Sequence, residues 1–373
     1  MDSGQICSLS TIHCPLTMSF ELAFPMIIAG SLILSVFLTK KVRKIAYRHG
    51  VVDAPDGGRK MHAMRTALWG GLVTGTVIIL ASACLLPFLD GSTLRSEQIY
   101  GFMVAIGILM FGGAMDDRFN LSPWKQIVFP VLASLAIIAS GSGIIQVTNP
   151  FGDGVISLVW SQWSFLGDLI RISFPSDLIT IIWLLVVTYA MKLLDGLDGL
   201  VAGLTIISAL LIASLAGSVD FFQPIIALLA LAIAGVYIGF LPFNKTGSIF
   251  LGEGGSTIAG FSLAVLAVIS GSKVATAAVA LGIPIIDVFF VIVGRVLRGT
   301  SPFKGDRSHL HYRIVEAGVS PRNAVRLIWA AALIFGLFAL TLQTRGRLFL
   351  LAGIAVFVLL VSWIAYVRSS RRS

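Results

Sequence analysis

Hydrophobic positions come in long runs along this chain, and short polar stretches separate them. A helix crossing a bilayer needs about 20 mostly apolar residues. Eleven runs meet or approach that length, near 21–39, 68–88, 98–115, 126–146, 178–194, 200–217, 221–241, 255–271, 274–297, 324–343 and 347–367. They predict an all-α polytopic membrane protein organised as a single integral-membrane domain over 1–373, with a tail at 1–20 and a basic tail at 368–373. Residues 147–177 break the pattern. Asp153, Asp168, Arg171, prolines and glycine turns interrupt them, so they are expected to form an excursion outside the bilayer. Within it Val155–Trp160 and Leu169–Phe174 could pair as a short hairpin.

Charge fixes the orientation. With eleven spans, 22 of the 27 Lys and Arg residues fall on one side, and only Arg95, Arg171, Lys273, Arg345 and Arg347 fall on the other. Basic residues concentrate in cytoplasmic loops, so the rich side is cytoplasmic, the N-terminus external and the C-terminus cytoplasmic. The formal charge of +9 is therefore a topological signal spread over juxtamembrane loops, and it argues against nucleic acid as a partner. Composition agrees: 57% of residues are apolar and 12% charged, where soluble domains carry roughly 25% charged. The three cysteines have no zinc-site spacing. Cys7 and Cys14 are either a disulfide in an external tail or free thiols, and residues 1–20 lack the basic start of a cleaved signal peptide.

The chemistry-bearing residues then fall on one face. Asp116 and Asp117 end the third run. Neighbouring carboxylates at a membrane boundary need a cation or a basic partner, unless they form a solvated loop balanced by Arg118 and Lys125. Asp195 and Asp198 lie three apart among Gly196 and Gly199, a spacing that points both the same way on a helical turn. Residues 242–256 form a glycine-rich loop with Asn244, Lys245, Phe250 and Glu253, whose N–H groups and following helix start could cradle an anion. The loop after residue 295 carries His309, His311 and Arg313 with Lys304, Asp306 and Arg307. It suits phosphate, sugar or metal contacts, or alternatively lipid headgroups. Arg59-Lys60-Met61-His62 is a further basic cluster. Asp287 lies within a span after Pro284. It is either a functional carboxylate or a partner for backbone freed by the proline.

Taken in order, Arg-Lys-x-His, Asp-Asp-Arg-Phe, Asp-Gly-Leu-Asp-Gly-Leu, Gly-Glu-x-Gly-Ser and Asp-Arg-Ser-His-Leu-His resemble the polyprenyl-phosphate N-acetylhexosamine-1-phosphate transferases, glycosyltransferase family 4. The likeness runs from about Val51 to Gly318 and favours the branch that initiates bacterial surface polysaccharides over the peptidoglycan translocase branch. It implies transfer of an N-acetylhexosamine 1-phosphate from a UDP-sugar to polyprenyl (undecaprenyl) phosphate, with release of UMP, at the cytoplasmic face of the cell inner membrane. It implies Mg²⁺, or Mn²⁺, since hard cations prefer the oxygen ligands available here. By the same likeness Asp116 deprotonates or positions the lipid phosphate and Asp117 lies near the metal. Asp195 supports metal and diphosphate, while Asp198 faces the uridine with Phe250 stacked on its ring. Glu253 takes the place of a metal-ligand Asp. His309, His311 and Arg313 cover sugar and diphosphate, and Lys60, Lys125, Lys192 and Asn244 are expected at the substrates.

Several positions depart from the family pattern and mark a divergent member. Glu253 replaces the usual Asp, Tyr189 and Lys192 stand where asparagines are usual, and Tyr312 replaces a histidine. Asn120 stands for an Asp, and Ala67-Leu68 for Pro-Arg. The expected partners are UDP-N-acetylhexosamine, a polyprenyl phosphate and the surrounding membrane lipids; a homodimer is left open. The rival readings are an inactive homologue that binds sugar nucleotide or lipid carrier, and an anion transporter, although no duplicated halves of the transporter kind stand out.

Overall fold

The computed structural model describes residues 15–53, 65–89, 92–149, 152, 154–165, 170–271, 274–301 and 308–370. The expectations resting on Cys7, Cys14, Arg59, Lys60, His62, Asp153, Asp168, Lys304, Asp306 and Arg307 lie outside the described residues.

Every one of the eleven apolar runs is helical. The first three are α1 (Pro15–Arg48), α2 (Gly70–Leu85) and α3 (Ser96–Phe119). The fourth consists of two pieces, α4 (Pro123–Gln126) and α5 (Val128–Ala139). Pro130 explains that break, because it has no N–H to offer the carbonyl of Gln126 one turn back. Then follow α6 (Ser176–Leu194), α7 (Leu200–Ala216), α8 (Pro224–Lys245) and α9 (Gly252–Ile269). The ninth run is also divided, into α10 (Val274–Ala280) and α11 (Gly282–Leu297), before the short α12 (Leu310–Glu316), α13 (Pro321–Thr341) and α14 (Thr344–Ser370). Eight of these helices are long and apolar enough to cross a membrane, and two shorter apolar ones, Pro123–Ala139 and Leu200–Ala216, accompany them. The protein is thus an all-α multi-pass membrane protein.

Helix α9 is the axis of the bundle: 83% of its apolar window is buried, against 17% for α1 and α14. Between helices in a membrane, close packing of small residues replaces the hydrophobic drive, and α9 begins with such residues. A Cβ on Gly71 would lie 2.6 Å from the carbonyl carbon of Gly254, and one on Gly113 would overlap the Cα of the same Gly254. Three backbones from α2, α3 and α9 therefore meet where no side chain fits. On the far side of α8, Gly235 and Gly239 admit the carbonyls of Ile28 and Leu32 in α1 in the same way, each 2.5 Å from where a Cβ would stand.

The excursion after α5 differs from the single expected hairpin. It forms two antiparallel pairs among the described residues. Strand β3 (Gln146–Thr148) pairs with β4 (Val155–Ser157), and β5 (Val159–Phe165) pairs with β6 (Ile170–Pro175). The expected strand 155–160 is divided at Leu158, whose N–H donates to Ile145 O at 2.8 Å and whose carbonyl accepts from Ser176 N at 2.9 Å. Those two bonds clamp Leu158 between the ends of α5 and α6, so the chain changes partner there. At the opposite end of the bundle, β1 (Val52–Asp53) pairs with β2 (Thr66–Ala67), and Ala67 bridges to Ile249. This ties the loop before α2 to the loop before α9.

Gly113→Ala should be one of the most damaging single-methyl changes in the chain. Overpacking of this kind costs about 1–3 kcal/mol. Thermal unfolding of the detergent-solubilised variant should show a clear drop in midpoint, whereas an unchanged midpoint would mean that α3 and α9 do not cross at this point.

Candidate active site

The site is assembled where α3, α6 and α8 end and α4, α7 and α9 begin. Asp117 fastens it. Its Oδ1 accepts the N–H of Glu253 at 2.9 Å and its Oδ2 accepts the N–H of Trp69 at 3.2 Å. Both donors belong to residues at or just before a helix start, where backbone N–H groups lack intrahelical partners and an anion is favoured. Gly252, at φ +68°, brings the turn so close that a Cβ there would lie 2.7 Å from Oδ1 of Asp117. Trp69 itself takes φ 73°, and its indole Nε1 donates to Ala114 O at 3.2 Å.

Asp116, one residue earlier, is buried and faces the other way. Its Oδ1 accepts from Leu121 N at 2.7 Å and from Gln126 Nε2 at 3.0 Å. The adjacent carboxylates therefore do not share one point. Asp117 holds the α9 start, while Asp116 holds the turn between α3 and α4. Gln126 also receives Lys192 Nζ on its Oε1 at 2.7 Å, and the same ammonium stands 2.7 Å from Oε2 of Glu253. That last contact is an ion pair without good hydrogen-bond geometry, since Oε2 is buried and has no hydrogen-bond donor. Asp116, Gln126, Lys192 and Glu253 thus form one polar line, and they line a cleft whose other wall includes Leu109, Phe129 and Pro130.

Asp195 caps the C-terminus of α6. It is exposed to water on one side and has Glu253, Asp198 and Asp117 as its charged neighbours. Loss of hydration, followed by the charges of Glu253, Asp198 and Asp117, pushes its carboxyl up to about 8; water reaching the open side screens part of that push. Asp198 is exposed in the same turn. Asn244, expected at the substrate, is buried as a brace. Its Oδ1 accepts from Gly199 N at 2.9 Å and its Nδ2 donates to Ile249 O at 3.3 Å, which joins the Asp195–Asp198 turn to the loop carrying Phe250. The half-buried Phe250 is set by its N–H, which donates to Ala67 O at 2.9 Å.

The histidine segment closes over this turn. A Cβ on Gly196 would lie 2.5 Å from both His311 Nε2 and Tyr312 Oη, so the glycine is what allows α12 to dock. His311 is fully buried with both ring nitrogens unpartnered, and its ring centroid lies 4.1 Å from that of Tyr312. Burial, and then the neighbouring His309, push its imidazole down to about 3, so it stays neutral and can serve as a hydrogen-bond donor or acceptor. His309 precedes α12. Its Nδ1 is 2.9 Å from Asp287 Oδ2, and Leu310 N donates to Asp287 Oδ1 at 2.8 Å. This settles the two alternatives for Asp287. The carbonyl of Ala280, freed by Pro284, accepts instead from Ser208 Oγ at 3.3 Å, and Asp287 is spent on anchoring the histidine segment. Arg313 is half-buried on α12 and Lys125 is exposed on α4, outside these contacts.

Two participants went unnoticed at the level of sequence. Gln126 had a weak signal, as a lone amide at the start of an apolar run. Trp69 had none, because it contributes a backbone N–H. Among the described residues no three acidic, histidine or cysteine side chains stand together as a ready metal cage. The donor set of Asp117, Asp195 and Glu253 is still the oxygen-rich kind that hard cations take, and the buried Oε2 of Glu253 has no hydrogen bond of its own. The set fits a divalent cation chemically, with Lys192 as the group that competes with such an ion for Oε2 of Glu253.

An acid and histidine cluster at one end of a multi-pass helical bundle is the arrangement of a membrane-bound transferase. Comparison with known proteins agrees. Residues 99–271 match the model of glycosyl transferase family 4. The decaprenyl-phosphate N-acetylglucosaminephosphotransferase of Mycolicibacterium smegmatis is 30% identical, over 97% of this chain and 92% of the relative. The probable undecaprenyl-phosphate N-acetylglucosaminyl 1-phosphate transferase of Bacillus subtilis is 28% identical over 89% of each chain. The undecaprenyl-phosphate alpha-N-acetylglucosaminyl 1-phosphate transferase of Yersinia pestis is 27% identical, over 85% of this chain and 82% of the relative. The chain belongs to glycosyl transferase family 4.

Asp287→Ala would leave His309 Nδ1 and Leu310 N without their acceptor. Hydrogen bonds to charged groups contribute about 1.5–3 kcal/mol each, so the variant should unfold at a clearly lower temperature. A melting curve matching the parent's would show that the histidine segment is held by something else.

Proposed function

We propose that this protein transfers an N-acetylhexosamine 1-phosphate from a UDP-sugar to a polyprenyl phosphate, at the cytoplasmic face of a bacterial inner membrane. An oxygen of the lipid phosphate attacks the sugar-linked phosphorus of the donor. A new P–O–P bond forms, the bond to the uridine-bearing phosphate breaks, and UMP leaves with the electron pair. One phosphoanhydride replaces another, so the step is close to balanced in free energy and is reversible. The product, a polyprenyl-diphosphate sugar, is of the kind that starts a cell-surface polysaccharide.

The observation that carries this reading is the cleft, which is polar at Asp116, Gln126, Lys192 and Glu253 and apolar at Leu109, Phe129 and Pro130. There an anionic head would meet the Lys192 ammonium and an apolar chain the wall of Leu109, Phe129 and Pro130. The donor belongs on the neighbouring side, where Asp195, Asp198 and the Phe250 loop adjoin the neutral His311. Two polyanions have to approach each other in this space. Mg²⁺ or Mn²⁺, held by Asp117, Asp195 and Glu253, would neutralise that charge and orient the leaving phosphate when bound. Phosphoryl transfer is mostly a matter of positioning and charge, and the protein supplies positioning through braced parts. Asp117 and Asn244 fix the two glycine turns, Asp287 fixes the histidines, and Asp116 fixes Gln126 and through it Lys192. His311, unpartnered and neutral, can hydrogen-bond the sugar or the diphosphate without adding charge.

Purified protein given polyprenyl phosphate, Mg²⁺ and a panel of UDP-N-acetylhexosamines should release UMP, and chelation of the metal should stop it until Mg²⁺ is restored. Asp117→Asn weakens the hold on Glu253 and Trp69 and should lower kcat by about two orders of magnitude. Absence of UMP with every donor would sink the reaction and favour an inactive, ligand-binding homologue.

A further inference from the structure

The ammonium of Lys192 is placed where it must interfere with any cation that needs Glu253. Its side chain is 13% exposed, its Nζ lies 2.7 Å from Glu253 Oε2, and Gln126 links it to Asp116 through contacts of 2.7 and 3.0 Å. Glu253 therefore already has its counter-charge. A divalent cation that takes Oε2, or both oxygens of this carboxylate, has to displace the ammonium. A lysine displaced within a poorly hydrated cleft costs heavily unless another anion receives it. Lys192 faces a cleft that opens at the protein surface, and Leu109 and Phe129 line its apolar wall. A phosphate monoester on an apolar chain matches both ends. Inorganic phosphate matches the charged end alone.

We propose that Lys192 is a latch on the metal site: it holds Glu253 until a phosphate monoester in the cleft takes over the ammonium, which releases Glu253 to the divalent cation. This rests on the reading above that a lipid phosphate is the acceptor. The consequence is an order of events. The oxygen donors are completed after the acceptor has entered, so a sugar diphosphate is not presented to a fully armed cation with water as its only nucleophile. The latch also accounts for the joint presence of Lys192 and the longer Glu253. The extra methylene of a glutamate, relative to aspartate, lets the carboxylate reach the ammonium in one state and the acidic centre in the other.

The test is Mn²⁺ binding to the purified full-length protein in neutral detergent, followed by the electron paramagnetic resonance signal of free aqueous Mn²⁺, with no sugar nucleotide present. For the unaltered protein, a short-chain prenyl monophosphate should tighten Mn²⁺ binding by about tenfold, and the corresponding prenyl alcohol should not. Lys192→Asn and Lys192→Gln should bind Mn²⁺ about tenfold more tightly than the parent without any phosphate, with no further gain from the prenyl phosphate. The second variant carries its amide donor one methylene further toward Gln126 and so is the closer match to lysine in length if the first does not fold. An effect of inorganic phosphate equal to that of the prenyl phosphate would assign the trigger to charge alone, and a weaker effect would assign part of it to the apolar wall; both support the latch. Equal Mn²⁺ affinity in parent and variants, or equal tightening of both by prenyl phosphate, would overturn it. Because no transfer occurs in this experiment, a failed latch with normal UMP release removes only the latch, and a working latch without UMP release removes only the reaction.

Discussion

The capping of α9 by Asp117 is the constraint on which the rest of the site depends. A carboxylate at the edge of a membrane bundle is costly to place, and here two backbone N–H groups, from Glu253 and Trp69, donate to it at 2.9 and 3.2 Å. The bonds require α2, α3 and α9 to converge to backbone contact, which the glycines at 71, 113 and 254 permit. Once α9 starts at that point, its first side chain, Glu253, faces Lys192, and the loop before it presents Phe250 beside β2. One half-buried acid thus determines where another acid stands.

The remaining polar residues divide into supports and participants. Asp116, Asn244 and Asp287 are buried, and their hydrogen bonds go to the turns and loops around the site. Asp195, Glu253, Lys192 and His311 are the ones with exposed surface, strained partnership or vacant hydrogen-bonding capacity. Such a division suits a reaction in which the protein does little covalent chemistry. The rigid supports hold the geometry, and under the proposed function the participants would meet two phosphates whose own charges are the main obstacle.

The spans were legible in the sequence because a bilayer imposes a length on apolar runs, and each of the eleven runs is helical. Their interruptions at Ile127 and Leu281 were not, since a proline marks a missing N–H without saying whether the helix bends, breaks or is repaired by a neighbour such as Ser208. The excursion was legible as strands but not in its pairing, because alternation over 155–165 names no partner and the switch at Leu158 depends on the backbone groups of Ile145 and Ser176. The acids could be picked out individually from their glycine neighbours. What each one holds could not, because Asp117 with Trp69, Asp287 with His309 and Lys192 with Glu253 are joined only through space. The departures from the family pattern at Lys192 and Glu253 looked like separate changes in sequence and prove to be one contact.

The central claim is that this cluster joins two phosphates, moving a phosphorylated sugar as a unit. It is tested most directly with a UDP-N-acetylhexosamine that carries one radiolabel on the sugar-linked phosphorus and another in the sugar, incubated with the purified protein, Mg²⁺ and polyprenyl phosphate. Both labels should pass together into the lipid fraction in equal amounts, with unlabelled UMP left in water. Sugar label in the lipid with the phosphorus label retained on UDP would contradict the account, because the bond broken would then be the glycosidic one.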